Sequence, residues 1–380
     1  QRSGDPWNNN SDFWIRGISS FAGNTQPLVL IDGIERSIND IDPDEVASFS
    51  VLKDAAASAV YGVRGANGVI MVETKRGSIG KPQVSVRFEH ALSQPVRIPQ
   101  YVGSVKYLEL VNEMYSQDGI APYVSEATLR NYRDKTDPEL YPDVNWWDVI
   151  SKDHADNTRA TLSVNGGSNV LRYALVAGYY NENGILARDK TKAWDSSLKV
   201  DRYTVRSNVD INITSSTVLR INIGGYLQSR NAPPGDITDH RAFYNAMRIP
   251  PYIHPAIYAD GKIPRIINKA NPWASLTQRG YERLNHSNIE ALTSIEQDLK
   301  FVTPGLRFKL TYAFDKFSAN SVTRAKNPDY YHPATGRDYE GNLITSIQAN
   351  GEEFLGYAKD AKWGNQSVYV EATVNYNRCG

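Results

Sequence analysis

Six histidines, one cysteine and 42 acidic side chains in 380 residues are the raw material for any catalysis or metal binding. His90, His154, His240, His254, His286 and His332 are scattered and form no HExxH pair, so a zinc-type centre is not expected. Cys379 stands beside the chain end and no Gly-x-Ser-x-Gly occurs, so nothing supports a nucleophile. Asp40, Asp42, Asp44 and Glu45 are the densest acidic group. Helix capping accounts for them, with Asp42 as the cap and Pro43 at the first helical position. In Gly62-Val63-Arg64-Gly65-Ala66-Asn67-Gly68 the spacing is not GxGxxG, and a helix rather than a strand precedes it, so a nucleotide cradle is not expected. The glycines there permit positive φ and a close approach of helix to strand. Trp146, Trp147 and Trp273 carry indole faces that stack on sugar rings, although such residues also anchor loops or mark a membrane interface. The expectation is no enzyme, no metal and no cofactor.

Composition narrows the partners. The 42 basic side chains balance the 42 acidic ones, so there is no excess cation for a nucleic acid. One cysteine excludes an intrachain disulfide framework. Mean hydropathy is −0.48, and no run reaches the ~18 apolar residues of a spanning helix. Length alone suggests two or three domains, and composition alone suggests a soluble chain. The first residues carry no export signal. The last lie inside an alternating run, Val368 to Tyr376, so the chain reads as a fragment.

Residues 1–80 read as a mixed α/β unit. Leu28-Val29-Leu30-Ile31 is a short buried strand ending at the turn Asp32-Gly33. A brief helix begins at Asp42, Phe49 to Lys53 is a strand, Asp54 caps a second short helix through Tyr61, and Val69 to Thr74 is another strand.

From residue 83 onward, eight segments alternate with period two. Val84, Val86, Phe88 and Leu92 alternate with Ser85, Arg87 and Glu89; Tyr203, Val205, Val209 and Ile211 with Arg206, Asn208 and Asp210. Leu306, Phe308, Leu310, Tyr312 and Phe314 oppose Arg307, Lys309 and Asp315. Connections after the second, fourth and sixth segments are short. Those after the first, third, fifth and seventh run to about 60, ~14, over ~50 and ~45 residues, against the few residues usual in compact domains. A soluble β-sandwich also alternates, but its loops do not sort by parity. Short turns on one rim, long loops on the other, and strands with one charged face favour a transmembrane β-barrel. Tyr179, Tyr180, Tyr226, Phe314, Phe317 and Tyr376 lie near strand ends, where interfacial girdles are found. The expected fold is mainly β: an antiparallel barrel wall over 81–380 and a small α/β domain over 1–80.

The pieces Pro27-Leu28-Val29-Leu30-Ile31-Asp32-Gly33, Asp42-Pro43-Asp44-Glu45-Val46, Val51-Leu52-Lys53-Asp54-Ala55, Tyr61 to Ile70, and Thr74-Lys75-Arg76-Gly77 come in an order that resembles the plug of the SusC/RagA family. Ile15-Arg16-Gly17, Pro142 to Trp147 and Val164-Asn165-Gly166-Gly167 extend the likeness. These are TonB-linked outer-membrane transporters of Bacteroidetes-type bacteria. The resemblance implies a barrel of about 22 strands with a plugged lumen, of which this chain would hold about eight. It implies active import powered by TonB with ExbB and ExbD, a SusD-like surface lipoprotein as lid, outer-membrane lipid around the wall, and an oligosaccharide as substrate. An oligopeptide importer, a siderophore receptor, a passive porin-like channel and a soluble β-rich binding protein are the alternatives. It also assigns roles. Asp32, Gly33, Asp54, Tyr61, Gly62, Arg64, Gly65, Asn67 and Gly68 form the plug motif, with Arg64 expected to pair with luminal carboxylates. Asn24, Glu35 and Arg36 are expected on plug loops facing the external cavity, where they join Trp146, Trp147 and Trp273 as candidate substrate contacts.

Overall fold

The computed structural model describes residues 26–52, 61–65, 67–235 and 241–377. Ile15 to Gly17, Asn24, Asp54 with the helix expected after it, His240 and Cys379 lie outside the described residues. Strands are numbered in chain order, β1 to β15.

The first sheet is built from β1 (Leu28–Ile31), β2 (Ile34–Glu35), β3 (Val46–Leu52) and β4 (Val69–Thr74), in the order β2-β1-β4-β3. Asp32 and Gly33 both hold positive φ, 50° and 86°, as a two-residue primed hairpin turn demands. The Asp32 carboxylate then accepts from the Thr74 amide (3.0 Å) and hydroxyl (2.6 Å), tying the turn to the end of β4. β1 and β4 run parallel and read as continuous apolar segments because both faces are covered. Leu28, Leu30 and Val69 pack on one side with Tyr61; Ile31, Ile41, Ile70 and Val72 pack on the other. The helix expected at Asp42 is a single 3-10 turn, Pro43–Glu45. Asp42 caps it as expected, accepting from the Asp44 amide at 2.9 Å, but β3 claims the chain immediately afterwards.

The second sheet has eight strands, β5 (Gly80–Ser93), β6 (Ala155–Gly167), β7 (Leu171–Asn183), β8 (Lys199–Asn212), β9 (Thr217–Ala232), β11 (Gly280–Asp298), β12 (Leu306–Ala325) and β15 (Gly356–Tyr376). Each pairs antiparallel with the next in sequence. Connections 168–170, 213–216 and 299–305 lie at one rim; 94–154, 184–198, 233–279 and 326–355 lie at the other.

The two faces of this sheet are inverted relative to a water-soluble protein. Val205 is 49% exposed, Ile223 53% and Ile289 53%, whereas Arg206, Asn208, Asn222 and Glu290 on the opposite face are at most 3% exposed. A soluble sandwich buries its apolar rows, because removing them from water is what stabilises it. Here the apolar rows point away from the protein and the charged rows pack against the first sheet. That arrangement is stable only when the outer face meets hydrocarbon.

Several strands run further than the alternation suggested. β11 starts at Gly280, nine residues before its first alternating position at Ile289, and β12 continues to Ala325, past Phe314. The last long connection is correspondingly shorter than expected, 326–355. The reason is that both faces of these extensions are polar. Asn285 and Asn320 hydrogen-bond at 2.8 Å on the outer face, and Asn181 donates to Asp201 at 2.9 Å on theirs. The aromatic expectation is also corrected. Tyr179, Phe314 and Tyr376 lie on the outer face, but Tyr180, Tyr226 and Phe317 belong to inward rows; Tyr226 is buried under the Arg202 guanidinium at 4.0 Å.

The long connections form their own layer. Helices Ser104–Gln117, Glu126–Asp134, Trp146–Ile150, Arg241–Arg248 and Pro272–Thr277 sit within it. Ser125, Asn145 and Asn271 cap three of them. Short strands β10 (Ile263–Pro264), β13 (Tyr330–Tyr331) and β14 (Ile347–Ala349) join the third and fourth connections. Arg337 adds a fork onto Asp137 (2.6 Å) and Glu139 (2.7 Å), linking the fourth connection to the first.

Candidate functional site

The inward face of the eight-stranded sheet holds the small sheet through a row of charged and polar contacts. At its centre, Arg36, just past β2, makes a bidentate pair with Asp315 of β12, Nε to Oδ2 at 2.9 Å and Nη2 to Oδ1 at 2.6 Å. Arg206 of β8 donates from Nε to Glu45 (2.7 Å) and from Nη2 to Glu290 (2.8 Å). Glu290 also lies 3.6 Å from the Arg36 guanidinium, and its other oxygen accepts from Asn288 at 3.0 Å. Arg36, Arg206, Glu45 and Glu290 are all under 9% exposed. Forked guanidinium–carboxylate pairs of this kind are short, directional and strong when desolvated.

The same logic repeats to either side. Arg76, after β4, reaches Asp210 at 3.0 Å, and Asn208 donates to Thr74 Oγ1 and to the Lys75 carbonyl, both at 2.7 Å. Arg159 reaches Asp42 at 3.2 Å, Thr161 donates to Asp44 at 2.7 Å, and Arg202 donates to the carbonyls of Asn39 and Asp40. Tyr226 donates to the Asp40 carboxylate at 3.1 Å. Burial raises the Asp40 carboxyl above its ordinary value, and the Tyr226 hydrogen bond opposes that rise. The acidic group read as helix capping is therefore an attachment edge: Asp42 does both jobs, and Asp40, Asp44 and Glu45 each meet a wall residue.

Taking two charges out of water costs nearly as much as their attraction returns, so the net stability from this cluster is small, while breaking one partner is costly. Such an interface fixes position and register rather than gluing the surfaces together. Gly224 is part of it. A Cβ there would lie 2.7 Å from the Arg206 guanidinium, which is already held by two carboxylates. Gly224→Ala is expected to push the guanidinium out of its fork with an effect of about 1–3 kcal/mol, read as faster amide exchange in β3 with the wall strands unchanged.

Residues 2–69 match the family model of the TonB-dependent receptor plug domain. Over 362 residues the chain is 26% identical to TonB-dependent receptor P26 of Formosa agariphila, covering 91% of this chain and 33% of that one. It is 28% identical over 215 residues to TonB-dependent receptor SusC of Bacteroides thetaiotaomicron, covering 53% of this chain and 19% of SusC. A solved structure of the RagAB peptide transporter superposes with a TM-score of 0.64 at 17% identity, covering 96% of this chain and 48% of that one. By these likenesses the chain is a fragment similar to the SusC/RagA-type TonB-dependent transporters. It spans about a third of the length of the P26 relative.

In the receptor, the eight-stranded sheet is a segment of the outer-membrane barrel wall and the four-stranded sheet lies in its lumen. The Gly62–Gly68 run enters β4: Gly62 and Gly68 hold positive φ of 59° and 89°, the Gly68 amide donates to Gly65, and half-buried Asn67 lies between them. Arg36 makes the luminal contacts that were expected of Arg64. Arg64 pairs with Glu35 within the plug, both well exposed, while Arg36 is buried and grips the wall carboxylates Asp315 and Glu290. The two arginines stand 28 positions apart in the chain, and no local pattern tells which of them meets the wall.

The loop tryptophans sit inside the loop layer. Trp146 is buried with Ile150, Leu186, Leu198 and Leu276, Trp147 packs on Phe243 at 5.3 Å, and Trp273 bridges two loop cores. A different aromatic group lines the lumen. His286, Phe317 and Trp363 come from three adjacent strands, with His286 5.5 Å from Phe317 and 6.3 Å from Trp363. Trp363 stands on β15, the edge strand of the sheet, where nearly every described residue is exposed. The polar extensions of β11, β12 and β15 carry this group, which is why alternation did not flag it.

Proposed function

We propose that the receptor actively imports an oligosaccharide through the outer membrane, driven by TonB and capped by a SusD-like surface lipoprotein. The observation that carries this reading is the plug held to the wall by buried, directional ion pairs of little net stability. Such a contact closes the lumen at rest and separates under a pulling force, since each pair is lost abruptly once its geometry is broken. The grouping of Trp363, Phe317 and His286 supports a sugar ligand, because flat ring faces stack on the C–H faces of pyranoses.

The test is uptake of labelled oligosaccharides by cells carrying the complete receptor, with and without TonB. Uptake is expected to require TonB; undiminished uptake in its absence would rule out active import and leave a passive channel. Trp363→Ala is expected to weaken oligosaccharide binding about tenfold, the equivalent of ~1.4 kcal/mol. Competition by oligopeptides and not by oligosaccharides would replace the sugar reading with a peptide one.

A further inference from the structure

The outer face of the wall carries a hollow that the import reading does not use. It has a volume of about 850 Å³ and is lined by two neighbouring outward rows together with Gln228, His286, Ala319 and Trp363 of the inward row that runs between them. One row is Tyr203, Leu227, Ser287, Ser318 and Gly364; the other is Ser229, Asn285, Asn320 and Lys362. The floor is low because serine and glycine stand where the rows beneath carry Ile223, Ile289, Phe314 and Val368. Tyr203 and Leu227, both more than half exposed, form one flank. The hollow therefore opens on the same surface as the lipid-facing belt and continues it upward.

Its depth in the membrane follows from the strand register. Lys316 lies about ten residues above Leu306 at the short-turn rim, the span of one tilted strand across the hydrocarbon. Lys316 is the outward residue directly below Ser318, and Lys362 lies in the row above Gly364. Both lysines are exposed; Lys316 has no carboxylate partner among the described residues, and Lys362, on the edge strand β15, has Asp360 two positions above it on the same face. Arg283 follows one outward position above Asn285, also exposed. The one carboxylate on the outer row beside Ser229, Asp201, is paired with Lys199 at 2.9 Å. The hollow thus presents an apolar flank toward the hydrocarbon and cations with amide donors at the level where headgroups begin.

We propose that this hollow is a binding site for an anionic membrane lipid, with an acyl chain lying against Leu227 and Tyr203 over the serine–glycine floor and a phosphate-bearing headgroup between Lys316 and Lys362, within reach of Asn285 and Asn320. Charge complementarity and continuity with the lipid-facing belt select this occupant. Basic residues at a membrane surface attract anionic lipid, and tyrosine suits the same boundary layer.

The experiment uses the complete receptor in nanodiscs of phosphatidylcholine doped with phosphatidylglycerol, reading enrichment of each lipid in the shell retained through detergent extraction by native mass spectrometry. Wild type is expected to retain phosphatidylglycerol preferentially. The Lys316→Gln, Lys362→Gln double variant should lose that preference by about fivefold per lysine removed, and Ser318→Phe, which fills the floor, should abolish retention while the barrel still shows heat-modifiable migration. Inorganic phosphate should not compete. Equal retention of both lipids by wild type, retention unchanged by either variant, or competition by free phosphate would each overturn the proposal. So would loss of a dimer in the Ser318→Phe variant with lipid retention unchanged, since that would make the hollow a contact between copies.

Discussion

Arg206→Ala is expected to loosen the plug by about 3–5 kcal/mol, the cost of leaving buried carboxylates without their cation. Arg206, itself buried, touches both a plug carboxylate, Glu45 at 2.7 Å, and the wall carboxylate Glu290 at 2.8 Å. With the guanidinium gone, Glu290 keeps only the longer 3.6 Å contact with Arg36 and its hydrogen bond from Asn288. Glu45 is 2% exposed, so water does not replace the lost donor without the plug edge moving. Hydrogen exchange should show this directly: amides of β3 and the Pro43–Glu45 turn exchange faster, while β8 and β11, held by their own ladders, do not. Planar-bilayer recordings of the complete receptor should show channel openings that wild type lacks. The triple variant Arg206→Met, Glu45→Gln, Glu290→Gln removes the uncompensated charges and should recover most of the loss. Unchanged exchange in Arg206→Ala would show that the plug is held by the flanking contacts of Arg76, Arg159 and Arg202 instead.

How much of this was legible depends on distance along the chain and on which solvent each face meets. Strand alternation was readable wherever one face met hydrocarbon and the other the lumen, as in Tyr203 to Ile211 against Arg206 and Asp210. It failed where both faces met water: Asn285 outside and His286 inside give no period, so the upper third of β11 and β12 went unseen, and the luminal aromatic group with it. Local chemistry was readable too. The Asp42 cap follows from its own neighbours, and Asp32-Gly33 from the turn it must make. The Asp44–Thr161 and Glu45–Arg206 contacts join residues 117 and 161 positions apart, and no local pattern encodes them. Resemblance to a plug-and-barrel family named the two surfaces that meet. It did not say which of two nearby arginines, Arg36 or Arg64, crosses the gap.

Acidification is expected to unfold the loop layer before the barrel, through His254. Its ring is 1% exposed, lies edge-on to Trp146 at 5.5 Å, and shares Nδ1 with the Pro255 carbonyl at 2.8 Å. Nε2 is buried with no hydrogen-bond partner, so the neutral ring with its proton on Nδ1 is the form that fits. Burial pushes its pKa down from 6.5 to about 4, against the smaller opposing pull of the carbonyl. An unfolded loop layer binds a proton at His254 below pH 6.5 and the folded one does not until about pH 4. Folded stability therefore falls as pH drops through that window and levels off beneath it, by about 3 kcal/mol in all. Asp137, which the Arg337 hydrogen bond holds below 3.8, gives way only at lower pH, so the window belongs to His254. Amides of Trp146–Ile150 and Arg241–Arg248, whose side chains Trp146, Ile150 and Ala246 share the loop core, should exchange progressively faster from pH 6.5 to pH 4.5, corrected for intrinsic rates, while β7 to β9 stay protected. His254→Phe keeps the ring volume and removes the titration, so its loop layer should lose the slope across this window even if its stability at pH 7 is lower. A slope that survives in His254→Phe would assign the acid response to other groups.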